Sequence, residues 1–136
     1  MATGDLVLER KDASSLFSAV APVLAEADIV IGHLEVPHTN STTTASTDVP
    51  ALPAPPSALD AVADAGFDVL TLAGNHVYDF GAEGIEDTRR HCRERGMATT
   101  GAGRNLAEAW EPSVTEHAGR QVIVLSVNCV GPKESW

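Results

Sequence analysis

Aromatic residues are nearly missing from this 136-residue chain, at 4% of it, so any core must be aliphatic and alanine-rich. Cationic side chains are also few. Nine Lys and Arg stand against nineteen Asp and Glu, for a formal charge of −10. That balance excludes nucleic-acid backbones and anionic membrane surfaces as direct partners, because both need a basic footprint. An anionic small molecule or polymer stays open only if bound cations invert the local field. Cysteine is reduced to Cys92 and Cys129, far apart and in no CxxC pattern, which reads as two reduced thiols and not a disulfide or a zinc site. No apolar run approaches the ~18 residues of a membrane span. Met1 is followed almost at once by Gly4 and Asp5 instead of an apolar signal region. As it stands the chain is expected to be cytoplasmic, and a cell-envelope association would need a targeting segment from outside it.

What is present fits one globular domain over 1–136. Hydrophobic residues at 43% and charged residues at 21% are enough for a real core under a soluble surface. The opening reads as the end of a strand. Apolar spacing predicts a helix over 15–27, in spite of Pro22. The continuous run DIVIGHLEV over 28–36 reads as a buried strand. A Thr- and Pro-rich loop follows over 38–56, longer than most connections and hence either a contact surface or a mobile segment. Ser57 is placed to cap the next helix, and Gly66 to stop it. A strand over 68–73, a helix over 82–95 with Gly96 behind it, and a strand over 97–100 complete the alternation. A short helix over 106–110 then leads to a hairpin turning at Ala118, Gly119 and Arg120. Strand and helix alternating in this way predict an α/β layered fold with a largely parallel sheet.

In such sheets, ligands collect at the carboxyl ends of the strands, and that is where the polar residues fall. Asp5 comes after the first strand, His33 and Glu35 end the second, and LAGNHVYDFGAEG brings Asn75 and His76 after the third. Each residue has an ordinary structural reading by itself: a turn residue, a solvated carboxylate, a cap, a core histidine. Together they form an oxygen- and nitrogen-rich edge that suits divalent ions such as manganese, iron or zinc. Two ions fit if Asp5 or Glu35 bridges them. His76 is then better placed as a proton donor or phosphate contact than as a ligand, with Asp79 to orient it. Gly74 and Gly81 suit a chain leaving its strand abruptly, through positive φ or close backbone approach.

TGD at Thr3 to Asp5, HLE at His33 to Glu35, AGFDV from Ala65, LAGNHVYDFGAEGIEDT from Leu72 and GAG from Gly101 occur in this order. The set resembles the CapA family of capsule and poly-γ-glutamate biosynthesis, similar in fold to the calcineurin-like metallophosphoesterases. The resemblance implies an α/β/β/α sandwich of which this chain is the N-terminal half. It implies metal ligands at Asp5, Glu35 and Asn75 and a catalytic or phosphate-contacting His76, while Asp79 is expected to support His76, and His33 and Gly74 on the same edge are expected as substrate contacts. His33 stands where the family usually has Asn, and Gly74 where a second Asn is common. The Asp-x-His of ordinary phosphoesterases is absent, since Leu6 and Val7 follow Asp5. The family's later histidine motifs are not replaced by His91 or His117, so the partners expected are a complementing C-terminal half or a second copy, beside a polyglutamate-type polymer. The function so implied is metal-dependent hydrolysis or transfer at a phosphate or amide centre. A non-catalytic role in polymer synthesis or export, and an inactive fragment, are the alternatives.

Overall fold

The computed structural model describes residues 1–8, 12–45 and 52–129. Along the chain run β1 (Ala2–Leu6), α1 (Ser14–Phe17), α2 (Ala21–Leu24), β2 (Ile31–Leu34), α3 (Ala58–Asp64), β3 (Val69–Thr71), α4 (Gly81–Glu94), β4 (Ala98–Thr100), α5 (Leu106–Ala109), β5 (Ser113–His117) and β6 (Arg120–Val124). The first four strands form one sheet in the order β1-β2-β3-β4, every pair parallel. Each strand is reached through a helical crossover, which is how parallel neighbours must be joined. The α/β class and the parallel sheet are as the alternation predicts.

One face of the sheet enters the main core. Leu34 and Leu70 pack there with Phe17, Leu24, Leu59, Val62, Ile85 and Cys92. Gly32 lies in register with Leu70 on that face, and a Cβ on it would come within 2.8 Å of Leu6 and Phe67. Leaving that space empty lets the Phe67 ring lie on the backbone and meet Phe17 edge-on, with centroids 5.7 Å apart. Burial of this kind holds Cys92 as a thiol, its pKa pushed up to about 12.

Several boundaries differ from the sequence reading, each for a local reason. The helix predicted over 15–27 is two short helices, with Pro22 in the first turn of α2, where its missing N–H costs nothing. The strand predicted over 28–36 is a strand only over Ile31–Leu34, where β1 lies on one side and the three-residue β3 on the other. Ser57 precedes α3, but its backbone is helical, at φ −65°, and its side chain makes no cap. Asn105 does cap α5: its backbone is extended, and its side chain accepts from the Glu108 N–H.

The antiparallel β5–β6 hairpin is a separate two-stranded sheet. It turns through Ala118 and Gly119, both at positive φ. It is tied to the end of the parallel sheet by Ala73 N–H donating to Ser126 Oγ, and the segment before it by Thr100 Oγ1 donating to the Glu111 carbonyl.

The loop over 38–56 is described at both ends, while 46–51 lie outside the described residues. Its two ends meet, with Thr39 N–H on the Ala54 carbonyl and Ala54 N–H on the Pro37 carbonyl. Its first half runs along α4, where Thr39 Oγ1 donates to Asp87 at 2.6 Å and Ser41 Oγ to Glu83 at 2.9 Å.

Candidate functional site

One rank across the parallel sheet sets up the site. Asp5 pairs with His33, His33 with Thr71, and Thr71 with Thr100. Paired residues of a sheet point to the same side. Asp5, His33 and Thr71 therefore share the face opposite to Leu34 and Leu70. Asp5 lies inside β1, not after it as the sequence suggested, and that place is what aligns it with His33. Glu35, two residues past His33, returns to the same face just beyond β2.

The ligand-type atoms of Asp5, His33 and Glu35 all lie within 4.8 Å of one another. His33 Nε2 is 3.6 Å from Glu35 Oε2. The other ring nitrogen, Nδ1, is 2.9 Å from Thr71 Oγ1, and that hydroxyl donates to the Gly32 carbonyl at 3.2 Å.

The third strand supplies the rest. After β3 the chain turns at once, with Gly74 N–H on the Leu72 carbonyl and Asp79 N–H on the His76 carbonyl. The turn places His76 beside Glu35, with Nε2 4.0 Å from Oε1. Glu35 thus has one oxygen toward each histidine. His76 Nδ1 lies 2.7 Å from Asp79 Oδ2, and Asp79 is only 2% exposed. The Asp79 carbonyl in turn accepts from Ala45 N–H, so the long loop touches the residue that holds His76.

The two glycines of this segment do different jobs. Gly81 has φ +62°, a conformation that L side chains rarely adopt. Gly74 has no such angle. Its role is space: a Cβ there would lie 2.7 Å from His33 Nε2 and 4.0 Å from Glu35 Oε2.

Two carboxylates and an imidazole around a space kept free by Gly74 fit a divalent ion of borderline hardness. The structure brings Asp5, His33 and Glu35 into this group, with His76 and Asp79 alongside. Asn75 is exposed in the turn next to it. His91 stays on α4 against Glu94, and His117 sits near Asp28 at the hairpin tip. Sequence reasoning overlooked Thr71. Its signal was a lone hydroxyl inside the otherwise apolar VLTLA, Val69 to Ala73.

The chain matches the family described as bacterial capsule synthesis protein PGA_cap over residues 1–135. It is 32% identical over 104 residues to the PGA biosynthesis protein CapA of Bacillus subtilis, covering 76% of this chain and 27% of that protein. It is 33% identical over 106 residues to the capsule biosynthesis protein CapA of Bacillus anthracis, covering 75% and 26%. A probable polyglutamine synthesis accessory protein of Mycobacterium tuberculosis is 41% identical over 71 residues, 50% of this chain and 19% of that protein. The chain thus spans about a quarter of the length of the two Bacillus relatives.

Proposed function

Since the chain belongs to the bacterial capsule synthesis family PGA_cap, we propose that it carries part of a metal-dependent hydrolase or transferase site serving an anionic polymer of the polyglutamate type. The observation that carries this reading is the position of Glu35, between His33 on one side and the His76–Asp79 pair on the other.

Asp5, Glu35 and Asn75 are the oxygen donors for one or two divalent ions of manganese, iron or zinc. Such an ion, when bound, polarises a phosphoryl or carbonyl oxygen and acidifies a water. The work of the chain itself is positioning and proton transfer. The Asp79 carboxylate accepts from His76 Nδ1–H, which turns Nε2 toward the acidic group and leaves it able to take or give a proton. Asp79 is buried, so its carboxylate is shielded from competing water and holds the ring in place.

The test is metal analysis of the purified protein, joined to turnover of an aryl phosphate and a γ-glutamyl anilide. Stoichiometric metal is expected, with turnover lost in His76→Ala and metal lost in Asp5→Asn. Protein that contains no metal and acquires none would sink the reading.

One observation favours a second reading. The mycobacterial relative is described as an accessory protein of polyglutamine synthesis. In this reading the same group binds a glutamyl carboxylate through a metal, without chemistry. Polymer production that survives His76→Ala in cells would decide for it.

A further inference from the structure

We infer that His33 is a metal ligand through Nε2, fixed in the binding tautomer by the Thr71 hydroxyl, with Gly74 keeping the approach to that nitrogen open. The inference rests on the metal reading proposed above and names how the site would select its ion.

Thr71 Oγ1 carries one proton. The Gly32 carbonyl, 3.2 Å away, can only accept, and in the inferred arrangement the proton goes there. The hydroxyl oxygen is then an acceptor for the ring nitrogen 2.9 Å away. In that arrangement His33 Nδ1 holds the ring proton, and Nε2 holds a lone pair. This is how an imidazole ligand is usually prepared: the second nitrogen donates to a fixed oxygen, which sets both tautomer and ring orientation.

The lone pair has no proton to offer its neighbours. Nε2 lies 3.6 Å from Glu35 Oε2, close to Asp5 as well. A bare nitrogen and a carboxylate oxygen are both acceptors. With this tautomer the two acceptors face each other at a range that a cation between them would satisfy. Gly74 leaves room for one, since even a methyl group there would stand 2.7 Å from Nε2.

An imidazole nitrogen also changes which ion the site prefers. Magnesium and calcium favour all-oxygen shells. One nitrogen among carboxylates moves the preference toward zinc, manganese or iron.

The experiment uses the 136-residue chain. Long-range ¹⁵N–¹H NMR of the histidine rings reads the tautomer directly, and calorimetric titration with Zn(II), Mn(II) and Mg(II) reads affinity. In the metal-free protein His33 is expected to show a protonated Nδ1 and a bare Nε2, and the Nε2 signal is expected to move when zinc is added. Thr71→Val, which swaps the hydroxyl for a methyl, is expected to weaken zinc binding about 10- to 100-fold, and Thr71→Ser to restore most of it. Gly74→Ala is expected to weaken zinc at least as much. His33→Phe is expected to abolish the preference for zinc over magnesium. A protonated Nε2 in the wild type, or unchanged zinc affinity in both Thr71→Val and His33→Phe, overturns the inference. If Asp5→Asn still loses zinc in that case, the metal reading survives without His33. A wild-type chain that binds none of the three ions overturns both.

Discussion

Nδ1 of His76 lies 2.7 Å from Oδ2 of Asp79, three residues further along the same turn. One partner is partly open to solvent and the other is buried. The pairing gives the imidazole a fixed direction, which a histidine on a free turn would lack. Asp79→Asn keeps the size of the side chain but removes the charged acceptor that holds the ring. If His76 transfers a proton, turnover should fall by about 10²- to 10⁴-fold in this variant. Metal content should stay the same, since Asp79 is outside the close group. Turnover within twofold of wild type, in folded protein, would remove Asp79 from the mechanism.

Much of this arrangement was legible in the residues. LAGNHVYDFGAEG showed a strand stopping against a polar turn, and the His76–Asp79 spacing of three was enough to suggest the pair. The parallel α/β order followed from alternating strand and helix signals. Register was not legible. Nothing in TGDL or HLEV says that Asp5 stands opposite His33, because pairing depends on how the crossovers pack and not on either strand alone. For the same reason Thr71 looked like an ordinary strand residue until the rank across the sheet placed it beside His33. Gly74 showed the opposite difficulty. Its glycine was conspicuous, but whether it served backbone conformation or space required a neighbour to measure against.

The two N-cap candidates make a paired test. Asn105 is extended at φ −157° and its side chain accepts from Glu108 N–H at 3.0 Å, whereas Ser57 is helical and its side chain makes no such bond. Asn105→Ala should cost about 1 kcal/mol, read as faster amide exchange through α5. Ser57→Ala should stay within about 0.5 kcal/mol of wild type. Equal losses in the two variants would show that cap geometry is not what distinguishes them.

Ala118 offers a gain in stability. It sits at φ +50° in the two-residue turn between β5 and β6, followed by Gly119 at +73°. An L-residue in this region pays roughly 1–2 kcal/mol, because its Cβ crowds the following carbonyl. Asn is the residue such turns prefer at the first position, since its short polar side chain tolerates the left-handed region. Ala118→Asn should therefore raise stability by about 1 kcal/mol and the melting temperature by a few degrees. An unchanged or lower melting temperature would mean that the hairpin relaxes in some other way.

His38 gives a pH dependence with a definite sign. The side chain is fully buried, at 0% exposure. Nδ1 meets the Val36 carbonyl at 3.1 Å, and Nε2 has no hydrogen-bond partner among the described residues. The charged groups that bear on it are Arg95 and His91, both of which oppose a second positive charge. Burial is the larger cause, and the pKa is held down to about 4 from an ordinary 6.5. In the unfolded chain the same imidazole takes up its proton near the ordinary value. As pH falls through 6.5 the unfolded state gains protons that the folded state refuses, so stability declines until about pH 4. At ~1.4 kcal/mol per pH unit, the loss across that window is about 3 kcal/mol. His38→Leu keeps an apolar side chain in the site and has nothing to titrate. Urea unfolding at pH 7 and pH 4.5 should show wild type losing about 2 kcal/mol more than the variant between the two conditions. Identical losses would mean that His38 already titrates at an ordinary pKa in the folded protein.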